Sequence, residues 1–362
     1  MMARDRVVTI FPLPPQLPTN PYLDQLYGAM AGQTGVEVRR DRPRYALLAL
    51  LFGRGPRILH LHFFDELTQR PWYLMTALRS LLFLAMLALL RLRGVRIVWT
   101  AHNLEPHELY HPEWGVLVYR LVARWADAII AHSQAAREML EARYGPLPQC
   151  VVIPQGNYVG LYGPRRERYA SRVALDLPAE GPVLLCLGAL RPYKNIEGLI
   201  DAFAELPEAT RGTLLIAGSA KSPDYAVELL AHARRVPGTR VRTAFVPDAD
   251  LPAYFAAADL VVLPYRKLLT SAMLLCALSY ARPVVAPGFG PVRELLHDEQ
   301  AGFVFAPGDD EALHAALERA LAHGDFDTLG EAGLALARTF DWQSIAAVTA
   351  ECYRRVSAST RN

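Results

Sequence analysis

Two groups of residues in this 362-residue chain have the types and spacing to do chemistry. One is LLCLGALRPYKNIEGLI, residues 184–200. Its apolar run ends at Gly188, a short basic loop carries Arg191 and Lys194, and a helical pattern then sets Ile196, Leu199, Ile200 and Phe203 on one face. A parallel strand that feeds a helix through a tight turn leaves free backbone N–H groups and the positive end of a helix dipole aimed at one spot. Two cations placed there suit a diphosphate; they also suit a plain strand–turn–helix with solvated charges. Further on, Thr270 and Ser271 form an N-cap signal for a helix starting at Ala272. Their hydroxyls and the amides of that helix start would hold phosphate, or simply cap. A Gly-containing loop, PGFGPVRE, opens another helix and ends at Glu294.

The other group is AHNLEPHE, residues 101–108, with two His, two Glu and an Asn within seven residues. His102, Glu105 and Glu108 are candidates for acid–base work or for orienting hydroxyls. Their spacing fits no zinc pattern and no CxxC occurs, so no metal and no cofactor is expected.

These residues need a frame. Strand-length apolar runs at 7–11, 58–62, 95–100, 128–132 and 151–153, and again at 183–187, 213–217, 240–245, 260–263, 284–286 and 302–305, alternate with helical segments. Strands apolar throughout are covered on both faces, and strand–helix alternation gives parallel sheets with crossovers. The expectation is α/β, with two doubly wound, Rossmann-like domains facing a cleft and a break near residues 163–182. Ligands of such sheets bind at the carboxyl ends of the strands, which is where both groups fall. Gly156, directly after one strand, permits close approach of a ligand or of the other domain.

Composition narrows the classes. Residues 1–178 hold 21 arginines, no lysine and 14 acidic residues, a net +7, while the remainder is −5. Six arginines between Arg39 and Arg57 flank an apolar stretch, a pattern suited to an anionic membrane surface or to a solvated helix. No nucleic-acid motif accompanies the charge. The longest uncharged apolar run, 81–90, is too short to span a bilayer and reads as a helix buried against a sheet. No signal peptide is evident, and scattered cysteines point to reduced thiols, so a cytoplasmic location is expected.

The motifs together resemble the GT-B glycosyltransferases, in particular the group 1, family four-like set. GALRPYKNIEGLI is similar to that family's G-R-L-x-x-x-K-G loop, AADLVVLPYR to its segment ending in P-S, and ARPVVAPGFGPVRELL and AGFVFAPGDDEAL to its later loops. WTAHNLEPHE and IIAHSQAAREML resemble its first-half motifs, and FDWQSIAAV the helix that returns to the first domain.

The resemblance implies an acceptor-binding domain at 1–165, a nucleotide-sugar domain at 180–340 and a returning helix at 341–362. It implies donor contacts from Gly188, Arg191, Lys194, Thr270, Ser271 and Glu294, with Lys194 on the phosphates, Arg191 replacing a family arginine that falls on Ala189, and His102 near the transferred sugar. It implies transfer from a UDP- or GDP-sugar to a lipid-linked or saccharide acceptor in exopolysaccharide or glycolipid synthesis. One departure is plain. The E-x7-E carboxylates of retaining members fall on Leu268 and Cys276, so retention of configuration is not implied. An inverting enzyme needs a base, for which Glu105, Glu108, Asp65 and Glu66 are candidates in that order. A sugar-nucleotide epimerase of the same fold and a non-catalytic binding protein are the alternatives.

Overall fold

The computed structural model describes residues 7–18, 20–105 and 110–359, apart from the side chain of Asp298. The chain divides into two compact units, 1–156 with 340–362, and 157–339. The first unit begins β1 (Val8–Leu13), α1 (Tyr22–Met30), β2 (Val36–Val38), α2 (Pro43–Phe52), β3 (Arg57–Leu61) and α3 (Asp65–Thr68). It continues α4 (Tyr73–Leu92), β4 (Arg96–Thr100), α5 (Pro112–Trp125), β5 (Ala128–Ala131), α6 (Gln134–Tyr144) and β6 (Cys150–Val152). The second unit runs α7 (Arg168–Ala174), β7 (Val183–Leu187), α8 (Ile196–Glu205), α9 (Glu208–Arg211), β8 (Thr213–Ala217), α10 (Pro223–Ala233) and β9 (Thr239–Arg242). Then come α11 (Leu251–Ala257), β10 (Leu260–Val262), α12 (Ala272–Ser279), β11 (Val284–Pro287), α13 (Gly290–Leu295), β12 (Gly302–Phe305), α14 (Asp310–His323) and α15 (Phe326–Arg338). The final helix, α16 (Trp342–Ala358), rejoins the first unit.

Among the described residues each unit carries a six-stranded parallel sheet, ordered β2-β1-β3-β4-β5-β6 and β12-β11-β10-β7-β8-β9. The apolar runs read from the sequence all appear as strands. β2 is an addition: three residues at a sheet edge, half-exposed and centred on Glu37, too short to show a pattern. Both sheets pack helices on their faces, as the buried cores of Val8, Ile10, Ile58 and Val98, and of Leu184, Leu199, Phe203 and Leu214, require.

The expected break at 163–182 is part of the second unit. Tyr158 N donates to Ser279 Oγ (2.9 Å) and Tyr280 OH to Gly163 O (3.1 Å). Arg172 of α7 forms a buried ion pair with Asp259 (2.6 Å), which also accepts from Val183 N at the start of β7 (2.7 Å). A buried carboxylate needs such partners, and they bind the linker to this sheet. The first boundary falls at Gly156, where the close approach is made by Trp342 of α16, in the same unit. A Cβ on Gly156 would lie 2.3 Å from two ring atoms of Trp342.

Helix α4 departs from the buried helix expected at 81–90. It is twenty residues long and, by length and composition alone, apolar enough to cross a membrane, yet only a third of that stretch is buried. Thr76, Ser80, Phe83, Leu84, Leu87 and Leu90 face inward. Leu74, Leu78, Leu81, Leu82, Leu89 and Leu92 form one helical stripe on the outside, where a solvated helix carries charge.

Gly156→Ala should lower unfolding free energy by about 1–3 kcal/mol in denaturant titrations through overpacking. The loss should shrink in a Trp342→Leu background; an equal loss in both backgrounds would show that the indole is not what demands glycine.

Candidate functional site

In the second unit the β7–α8 turn brings several expected residues together. Gly188 has φ of 116°, a conformation that only glycine adopts easily. A Cβ there would meet Lys194 Nζ at 3.3 Å and Met273 Cε at 3.7 Å, so the Lys194 ammonium and the start of α12 both lie over this glycine. Lys194 Nζ also sits 5.0 Å from the centroid of the Tyr265 ring. Burial lowers its pKa to about 8, the buried Cys186 thiol opposes that shift, and the Arg191 charge adds to it. Arg191 is anchored by donation to Leu190 O (3.0 Å) and Ser219 O (3.2 Å). Asn195, left-handed at φ 53°, donates to Asp310 (2.8 Å) and accepts from Arg266 (2.8 Å), which fixes the entry into α8.

Ser271 caps α12, its Oγ accepting from Leu274 N (3.1 Å). Its hydroxyl hydrogen remains a donor. Thr270 precedes it, half-buried. The contacts that join Gly188, Lys194 and Met273 do not include Glu294, which lies exposed on α13. Leu268 and Cys276, at the family's carboxylate positions, are buried.

In the first unit His62 and His132 directly follow β3 and β5, His102 comes one residue beyond the end of β4 between them, and all three are buried. The sequence reading found only His102. His102 stacks on Phe63 (centroids 4.1 Å apart, 13° between planes), and its Nε2 meets His62 Nδ1 at 3.2 Å. The chain continues inward. His62 Nε2 bonds Tyr27 OH (2.8 Å), Tyr27 OH bonds His60 Nδ1 (2.8 Å), and His60 Nε2 bonds Thr100 Oγ1 (2.8 Å). Tyr353 of α16 closes on His60 Nδ1 at 2.6 Å. His132 donates Nδ1–H to Ile153 O (2.9 Å), which leaves a buried Nε2 lone pair without a partner. Tyr22 lies edge-on to His62, His102, His132 and Trp342, with centroids 4.7–5.7 Å away.

Burial pushes all four imidazole pKa values down, His60 to about 3, His132 to about 4, and His62 and His102 well below the ordinary range. His102 is therefore uncharged at neutral pH, with its ring held against His62 and Phe63. Among the described residues no three His, Cys, Asp or Glu side chains are disposed to hold a metal ion.

The carboxylate candidates separate. Glu105 is held by Arg143 Nε at 2.5 Å. Glu108 lies outside the described residues. Glu66 is exposed at the start of α3. Asp65 accepts from Tyr119 OH (2.7 Å), and burial raises its pKa to about 6, with Glu66 adding to the rise and the Tyr119 bond opposing it.

Two parallel-sheet units of this kind, the second with a cation over a glycine turn, define the GT-B class of fold. The family model described as Glycosyl transferases group 1 matches residues 181–323, and that described as Glycosyltransferase Family 4 matches 19–157. The chain is 30% identical over 305 residues to a GDP-mannose:glycolipid 4-beta-D-mannosyltransferase of Xanthomonas campestris pv. campestris, covering 84% of this chain and 80% of that protein. Its fold matches sucrose-phosphate synthase from Thermosynechococcus elongatus with a TM-score of 0.74, at 20% identity over 98% of this chain and all of the other. Anabaena HepE in complex with UDP-glucose matches with a TM-score of 0.70, at 20% identity over 95% and 98% of the two chains. The chain belongs to the group 1 glycosyltransferases and is a sugar-transferring enzyme.

Two outcomes check the electrostatics. Nitrogen-15 histidine NMR should show His60, His62, His102 and His132 neutral from pH 8 down to about 5; an imidazolium among them at pH 6 would contradict the buried network. The folded pKa of Asp65 is raised, so its contribution is fully present below the unfolded value of 3.8 and is lost as pH rises through about 6. Asp65→Asn should accordingly stabilise the protein at pH 8 by about 1–2 kcal/mol, a figure discounted for partial solvation, and be near neutral at pH 4. Thermal melts at the two pH values measure this.

Proposed function

We propose that the protein transfers a sugar from a nucleoside-diphosphate sugar, GDP- or UDP-linked, to a hydroxyl of a lipid-linked or saccharide acceptor. In this reading the second unit holds the donor and the first the acceptor. The observation that carries it is the half-buried Lys194 ammonium set over Gly188 beside the α12 start. A cation in that position without an anion is costly, and a diphosphate repays the desolvation. Cleavage of the glycosidic bond puts negative charge on the leaving diphosphate, and Lys194, Arg191, the Thr270 and Ser271 hydroxyls and the helix-start amides stabilise it where it forms. Lys194 reads the phosphates and not the sugar. GDP-mannose, the donor named for the Xanthomonas relative, is therefore the first to test, with UDP-glucose beside it.

His102 lies near the transferred sugar in this reading, held by His62 and Phe63. Asp65 suits the role of base on the acceptor hydroxyl better than the ion-paired Glu105, because a base with a pKa near 6 is matched to neutral conditions. The glycolipid acceptor of the relative and the arginines of 39–57 support work at the inner face of the cell membrane, in polysaccharide or glycolipid synthesis.

Lys194→Ala should weaken GDP or UDP binding roughly 10- to 150-fold by calorimetry, the loss of one charge-assisted contact of about 1.5–3 kcal/mol. Wild-type affinity should hold below pH 7 and fall about tenfold per pH unit above about 8, where the free lysine is neutral. Lys194→Arg should remove that dependence. Unchanged affinity in Lys194→Ala would refute the donor site, and an epimer formed from donor alone would refute transfer.

A further inference from the structure

We propose that the face built by α2 and α4 seats the protein in an anionic lipid bilayer by insertion of apolar side chains. This deepens the membrane reading above, extending the contact from the arginine-flanked apolar segment at 39–57 to the α4 stripe. The two helices share one face of the first sheet. From β2 the chain crosses β1 to β3 and then steps on to β4, and right-handed crossovers in one direction keep α2 and α4 on the same side. Their ends meet where Arg93 lies over the Phe52 ring at 5.6 Å.

The outward stripe of α4 is apolar and mostly leucine, with Leu74 81% and Leu92 86% exposed and Trp72 79% exposed just ahead of it. On α2, Tyr45, Leu48 and Phe52 are exposed as well. Exposed apolar side chains in this number on two neighbouring helices of a folded unit mark a surface that something covers.

Charge decides what covers it. From Arg42 to Leu104 the sequence holds nine arginines, and the only acidic residues are Asp65 and Glu66. Arg39 and Arg40 are internally paired with Asp41 and Asp24, but among the described residues Arg42, Arg44, Arg54 and Arg93 make no ion pair. A second copy meeting this face isologously would set arginine against arginine. Anionic headgroups would meet the arginines while acyl chains take the leucines, the arrangement of an interfacial helix lying in the membrane plane. The inward Thr76 and Ser80 and the sheet beneath them fit a helix that lies on the bilayer with its protein-facing side retained.

The test is flotation of the purified full chain with vesicles of phosphatidylcholine and phosphatidylglycerol in equal parts, which needs no sugar substrate and so fails or succeeds apart from the donor assignment. Wild type should float at low salt and remain bound at about 1 M salt, where charges are screened beyond about 3 Å. Arg42→Gln/Arg44→Gln/Arg54→Gln should lose about fivefold in low-salt binding per arginine removed and keep the high-salt fraction. Leu78→Glu/Leu82→Glu, at exposed positions, should abolish flotation at both salts while melting like wild type, and Leu74→Glu/Leu92→Glu should repeat the result. Wild type that stays unbound overturns the proposal. So do a melting-competent Leu78→Glu/Leu82→Glu variant that floats normally and a solution dimer broken by that variant without any lipid binding.

Discussion

A lysine ammonium is held where its own protein disfavours the charge. Lys194, half-buried, lies against the Gly188 turn, the Tyr265 ring and the start of α12, and its partial burial draws its pKa down to about 8. The β7–α8 connection exists in this form because Gly188 takes a positive φ and Asn195 a left-handed one, both fastened by hydrogen bonds. In the function proposed above, the diphosphate of a sugar donor is the anion that offsets the cost of holding this charge.

The first unit follows a different rule. Its strand ends collect imidazoles and phenols in place of charges, and burial keeps them neutral. Such a chain orients hydrogen bonds without a field of its own. That suits recognition of hydroxyl groups, and it leaves Asp65 as the carboxyl there whose pKa approaches neutrality. In the proposed function the second unit supplies a cation for the phosphates and the first a polar, uncharged lining for sugar hydroxyls.

Much of this was legible in the sequence because it is local. Gly188, Arg191, Lys194, Ser271 and the helices they precede belong to continuous motifs, and the apolar runs fix the strands. β2 was not legible, being three residues at a sheet edge. The histidine chain was missed although a signal was present: His62, His102 and His132 each lie within two residues of a strand end. What the sequence does not state is that those strands are neighbours, and the contact of Tyr353 with His60 spans almost the whole chain. Glu105 looked free because Arg143, its partner, sits on α6. Helix α4 read as core because its stretch 81–90 is apolar on all sides and carries no periodicity to tell its inner from its outer face.

The chain has only three lysines, Lys194, Lys221 and Lys267, so the charge at the centre of this account is directly observable. Carbon-13 lysine NMR across a pH titration, with and without saturating GDP, follows Lys194 by its absence from the Lys194→Arg spectrum. The account predicts a midpoint near pH 8 in the free protein and a rise of at least about two pH units with GDP bound. A free-protein midpoint near 10.5, or no movement on binding, would contradict it.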